Sequence, residues 1–159
     1  MHIRYARCGG LDVHKRMIAA CILLRGPLGE AQQEIRRCGT MTRDLLELVD
    51  WLQSQQVTHV AMESTGVYWK PIWNILEGQV AVILVNAPHS KAVPGRKTDT
   101  TECRWSAEWL QRGLLRSSFV PPTPIRQLRD LTRLRTSLRQ DHTAVANRLQ
   151  KILEDAHIK

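Results

Sequence analysis

At 159 residues the chain is long enough to bury a core in one domain without covalent or metal staples. Hydrophobic residues make up 43 % and charged residues 24 %, a globular balance that excludes a disordered or fibrous chain. The formal net charge of +8 favours a polyanionic partner, because Lys and Arg that meet phosphates release counterions. The four cysteines, Cys8, Cys21, Cys38 and Cys103, form no C-x-x-C pair, which argues against a zinc site. Cys8 and Cys21 sit among apolar residues and read as reduced core thiols. Met1 to Arg7 contains no apolar signal segment and no run is long enough to span a membrane, so a cytoplasmic protein is expected.

Cys8 to Val13 and Met17 to Leu24 read as short strands, the second a mostly buried run. Arg25-Gly26-Pro27-Leu28-Gly29 is a turn, and Ala31 to Arg37 a third, more polar strand. Two neighbouring turns imply an antiparallel meander. A helix follows, with Thr40 or Thr42 as the expected N-cap and Leu45, Leu48, Val49 and Leu52 on one face. Thr58 to Met62 is a short buried strand ending in Glu63-Ser64-Thr65-Gly66. A second helix runs from about Val67 to Glu77, with Pro71 in its early part and Gly78 closing it. Val80 to Val85 is another apolar strand. A basic loop from Ala92 to Lys97 leads into a helix from about Asp99 to Gly113.

Pro121-Pro122-Thr123-Pro124 marks a boundary, so residues 1–120 are expected as one domain and 121–159 as the start of a helical arm. In the arm Ile125, Leu128, Leu131, Leu134 and Leu138 form a stripe resumed by Val145, Leu149 and Ile152, the length and seam of a coiled coil. Three antiparallel strands followed by alternating helices and strands predict an α/β fold with a mixed sheet and flanking helices.

Four carboxylates stand out. Asp12 is flanked by Leu11 and Val13 in a buried strand, where a charge needs a partner or a metal. Glu63 ends a second buried strand. Asp99 and Glu102 sit three apart at a helix start, on one face. Carboxylates from two strands and a helix can converge at one end of a sheet. There they suit magnesium or manganese, hard cations that assist phosphodiester chemistry. Each carboxylate also has a purely structural explanation: a helix-dipole partner for Asp99 and Glu102, an Asx-turn for Asp12, local N–H bonds for Glu63. His14, His59, His89 and His142 show no ligand spacing and read as surface or core residues. Tyr68 and Trp69, early in a helix, read as packing residues.

Three blocks carry a resemblance: Gly10-Leu11-Asp12-Val13-His14-Lys15, Met62-Glu63-Ser64-Thr65-Gly66-Val67-Tyr68-Trp69 and Gly95-Arg96-Lys97-Thr98-Asp99-Thr100-Thr101-Glu102. In this order they resemble the blocks of DEDD-type transposases of the insertion-sequence 110 family, and the tail Asn147 to Asp155 is similar as well. The resemblance implies an RNase H-like (RuvC-like) fold and metal-dependent phosphodiester chemistry on DNA during transposition. It implies Asp12, Glu63, Asp99 and Glu102 as catalytic residues and as ligands of Mg2+ or Mn2+. The family pattern has Asp in the last position, where this chain has Glu102 followed by Cys103. Family members continue into a C-terminal domain bearing a serine implicated in strand exchange, so the chain is expected to be inactive alone. The resemblance also implies DNA and a structured guide RNA as partners. Lys15, Lys91, Arg96, Lys97, Arg126, Arg129 and Arg133 are candidate nucleic-acid contacts, and the C-terminal helix is the candidate surface for a homo-oligomer. The competing reading is a non-catalytic DNA- or RNA-binding remnant of a truncated transposase gene. A sugar kinase on a related sheet is disfavoured, because no second Gly-rich phosphate loop is present.

Overall fold

The computed structural model describes residues 3–26, 29–64, 66–86 and 99–158, with the side chains of Asp99 and Thr100 outside that description. Three antiparallel strands open the fold: β1 (Arg7–Val13), β2 (Ile18–Arg25) and β3 (Ala31–Cys38). Then follow α1 (Thr42–Ser54), β4 (His59–Glu63), α2 (Trp69–Leu76), β5 (Ala81–Val85), α3 (Asp99–Gln111) and α4 (Thr123–Asp155). The five strands form one sheet in the order β3-β2-β1-β4-β5, with β4 parallel to both β1 and β5. This is the mixed sheet with flanking helices that the sequence predicts.

Alternation within the strands divides the core. On one face Cys8, Ala19, Cys21, Leu23, Ala61 and Val85 pack against Cys103, Ala107 and Leu110 of α3. The other face takes α1, whose Leu45, Leu48, Val49 and Leu52 are all buried, as their spacing predicts. Leu11, Ile18, Ile22, Leu52, Ile72 and Leu76 are among the largest fully buried side chains. Each is worth roughly 1.5–3 kcal/mol over leaving it in water. Cys8 and Cys21 are indeed core thiols, fully buried and free. Burial pushes the Cys8 thiol up to about 12, so it stays protonated.

β3 reads as polar because it is an edge strand, paired only with β2. Its alternation still matters. Arg36 turns to the α1 face, where its guanidinium lies 4.6 Å from the centre of the Trp51 ring. Arg37 turns to the other.

Helix starts departed most from the sequence reading. Neither Thr40 nor Thr42 caps α1: the N-cap is Met41, whose N–H donates to Oδ2 of Asp44 at 3.2 Å. The Thr40 hydroxyl is engaged elsewhere, donating to the Lys15 carbonyl at 3.1 Å. α4 begins at Thr123 with Pro122 as N-cap and Pro124 in the first turn.

The chain divides into two compact units, Met1–Phe119 and Val120–Lys159. The second is essentially α4, a 33-residue helix with no buried residue. No helix of the described residues is long and apolar enough to cross a membrane.

Candidate metal centre

β1 and β4 run side by side, and their register pairs Leu11 with Met62. One step further, Asp12 lies beside Glu63, each at the C-terminal end of its strand. Residues paired across a sheet project from the same face, so both carboxylates belong to the α3 face. Sequence alternation explains why Asp12 is flanked by Leu11 and Val13: those two turn to the opposite side, where both are buried.

Two observations place α3 over this pair. Gly10 lies two residues before Asp12 on the same face, and a Cβ there would meet the Cys103 carbonyl and come 2.5 Å from the Ala107 nitrogen. Further along, the Arg4 N–H donates to the Gln111 carbonyl at 2.9 Å. The helix therefore runs antiparallel to β1, its last turn near the beginning of the strand and its first turn at the Asp12 end. Gly10 is the contact point that permits this approach, since any larger residue would hold the helix off. Asp99 starts α3, and Glu102, half-buried, follows within its first turn. The topology thus brings Asp12, Glu63 and the beginning of α3 to one end of the sheet.

Asp12 is 8 % exposed, the one charged residue among the described residues that counts as buried. Its Oδ2 lies 3.0 Å from Nε2 of His14, whose side chain is 47 % exposed. His14 thus lies at the candidate site, although ligand-spacing rules pass over it. The available signal was its position two residues after Asp12, which returns it to the same side of an extended chain. Behind the pair, Cys21 meets Cys103. Cys21 is paired with Gly10 across the β1–β2 ladder, and its thiol is pushed up by a hydrogen bond with Cys103 and by burial.

Among the described residues no three His, Cys, Asp or Glu side chains are grouped closely enough to share one metal ion. The fold brings Asp12 and Glu63 together. It places Glu102 in the helix turn above them without closing a three-ligand cluster. The nucleic-acid candidates fare unevenly. Lys15 is exposed on the turn after β1, and Arg129 and Arg133 are exposed on α4. Arg126 is engaged at its own helix start, donating to the Pro121 carbonyl and the Thr123 hydroxyl, each at 3.1 Å. Lys91, Arg96 and Lys97 lie outside the described residues. Tyr68 is exposed, and Trp69 packs edge-on against Trp73 with ring centres 6.1 Å apart, in keeping with a packing role for Trp69.

The profile of the insertion-sequence 110 DEDD proteins, described as Transposase, matches residues 9–158. The chain belongs to this transposase family. Comparison with curated proteins returns no match. Among solved structures it is similar to the Holliday junction resolvase of fowlpox virus, at 14 % identity and a TM-score of 0.39. That alignment covers 50 % of this chain and 60 % of the viral one. RuvC of Thermus thermophilus is similar at 9 % identity and a TM-score of 0.49, covering 70 % of this chain and 99 % of RuvC. Fowlpox virus resolvase with its substrate Holliday junction DNA gives 13 % identity, a TM-score of 0.40, and coverage of 65 % and 72 %. This transposase chain spans 60 % of the length of the first of these resolvase chains.

The transposase family depends on divalent metal, and the donor chemistry at the sheet end fits such an ion. Asp12 and Glu63 offer carboxylate oxygens side by side, the ligand type that hard divalent cations take. The thiols of Cys21 and Cys103 are fully buried in the core behind this pair.

Proposed function

We propose that this chain is the RNase H-like catalytic domain of a transposase and works on the phosphodiester backbone of DNA. Asp12, Glu63, Asp99 and Glu102 are the catalytic residues and hold Mg2+, with Mn2+ as a substitute. The observation that carries this reading is the placing of Asp12 beside Glu63 beneath the first turn of α3. In an otherwise apolar strand, that position is costly for a carboxylate unless a cation or donor answers it.

The side chains divide the work. Asp12, rigid in the middle strand of the sheet, fixes the position of the site. Glu63 supplies a neighbouring donor with one more methylene of reach. Asp99 and Glu102 take their part in this scheme from their place in the first turn of α3, a helix held at its depth by the Gly10 contact. Glu102 stands where the family has Asp, so its longer arm sets a carboxylate farther from its own backbone. His14 donates to Asp12 when its Nε2 carries the proton and so orients that carboxylate. When bound, Mg2+ supplies charge for the attacking and leaving oxygens of the phosphodiester. Lys15, Lys91, Arg96 and Lys97 serve as contacts for the DNA backbone in this scheme, and with DNA as substrate the protein acts in the cytoplasm.

Arg129, Arg133 and, once released, Arg126 offer further phosphate contacts on α4, for DNA or for a structured guide RNA. The same helix exposes Leu131, Leu138, Val145 and Ile152, which repeat every seven residues and support pairing with a second copy.

Thermal melting with and without metal tests the central reading. Only the folded chain presents the carboxylates together, so Mg2+ should raise the wild-type Tm by mass action. Asp12→Asn should remove most of that rise while nearly preserving shape. A wild type whose Tm ignores millimolar-range Mg2+, matched by an equally indifferent Asp12→Asn, would overturn the metal-site assignment.

A further inference from the structure

We infer that Arg37, on the edge strand β3, is a phosphate-positioning residue that grips the DNA strand beside the acidic pair. This deepens the proposed function and rests on it. The ladder registers carry the argument. Arg37 pairs with Ala19 across β2–β3, and Ala19 pairs with Asp12 across β1–β2. Arg37, Ala19, Asp12 and Glu63 therefore form one row across the sheet, all projecting from the face that α3 covers. With neighbouring strands about 4.8 Å apart, the Arg37 backbone is roughly 10 Å from that of Asp12. An extended arginine side chain covers most of that interval, and the residue between them is only an alanine.

Arg37 is exposed, and among the described residues its side chain has no ion-pair or hydrogen-bond partner. Its neighbour Arg36 behaves otherwise: it lies over Trp51 on the opposite face and pairs with Glu34 at 2.8 Å. The two arginines are adjacent in sequence and divided by strand alternation into a packing residue and a cation with no partner among the described residues. The latter lies in the row of the carboxylates. Lys15 and Arg16, both exposed on the β1–β2 turn, lie at the same end of the sheet, because Thr40 after β3 is bonded to the Lys15 carbonyl. A DNA strand with one phosphate at Asp12 and Glu63 would pass this basic rim, and Arg37 would take a flanking phosphate through its planar, two-pronged guanidinium.

The experiment is the salt dependence of binding to a fluorescein-labelled duplex DNA in Mg2+, read by anisotropy for the full chain. Loss of one phosphate contact should lower the slope of log K against log salt by about 0.9. Arg37→Gln should show that decrease, Arg37→Lys should restore it, and Arg36→Gln should leave it at the wild-type value. Because Arg36 and Arg37 are both exposed, all three variants should fold, with melting as the check. Wild-type binding with an unchanged slope in Arg37→Gln overturns the Arg37 assignment and leaves the proposed function standing. A slope change confined to an RNA hairpin, with none on DNA, overturns it as well. A wild type that binds no DNA overturns both readings.

Discussion

Gly10→Ala is the substitution for which the structure gives the sharpest expectation. The added methyl would meet the Cys103 carbonyl and lie 2.5 Å from the Ala107 nitrogen and 2.9 Å from Ser106 Cβ. Non-bonded heavy atoms prefer about 3.5–4.0 Å, so α3 would have to withdraw by about 1 Å. Two of the three obstructing atoms are helix backbone, which cannot swing aside as a side-chain tip does. Overpacking costs about 1–3 kcal/mol, and this site belongs at the upper end. At roughly 4 °C per kcal/mol for a domain of this size, Tm should fall by about 10 °C. Gly9→Ala is the control: its methyl would stand on the other face of β1, with the Cys21 carbonyl of β2 nearest at 3.2 Å. The displacement also carries Asp99 and Glu102 away from Asp12 and Glu63, so the Mg2+-dependent rise in Tm should shrink in Gly10→Ala beyond the loss of stability itself. Calorimetry of the three proteins with and without Mg2+ measures both effects. A Gly10→Ala protein that melts with Gly9→Ala and keeps the full metal response would refute the close approach of α3 and the geometry of the site built on it.

Acid should weaken the opposite end of the sheet. His59 stacks on Tyr5 at 4.1 Å, and burial, then the Arg4 guanidinium, holds its pKa below the ordinary 6.5. A base depressed on folding gives stability that is complete above 6.5 and is lost as pH falls through the folded value. His59→Gln should therefore flatten the fall in Tm between neutral and mildly acidic pH; an unchanged slope would contradict the assignment. On α4, Leu138→Glu places a charge in a seam whose wild-type residue is 58 % exposed. It should abolish concentration-dependent self-association in sedimentation equilibrium, and a wild type that stays monomeric at high concentration would rule that association out.

Much of this fold is legible because its strands are short, four of the five are largely apolar, and Gly, Pro and Asn punctuate them. The periodicity of Leu45, Leu48, Val49 and Leu52 predicts their burial against the sheet, and all four are buried. The anomaly of a carboxylate between Leu11 and Val13 pointed to Asp12 before any geometry was known. What the sequence hid is what depends on register. Nothing in Ala31 to Cys38 shows that Arg37 shares a row with Asp12, because the row is set by two hydrogen-bonded ladders formed by residues far apart in sequence. The role of Gly10 was hidden too, since a glycine in a strand marks a close approach without naming what approaches. Helix caps were misread for a similar reason. Thr40 is a good N-cap by type, but the folded chain turns its hydroxyl to the Lys15 carbonyl and leaves Asp44 to reach back to the helix start.

The claim that Asp12 and Glu63 together hold a divalent ion is tested most directly with Mn2+ as a paramagnetic probe. Free Mn2+ is counted by its electron paramagnetic resonance signal during titration with protein. The wild type should bind Mn2+ saturably, Asp12→Asn and Glu63→Gln should both greatly weaken that binding, and Glu34→Gln, on the exposed edge strand, should bind as the wild type does. Equal Mn2+ binding by all four proteins, or by none, would contradict it.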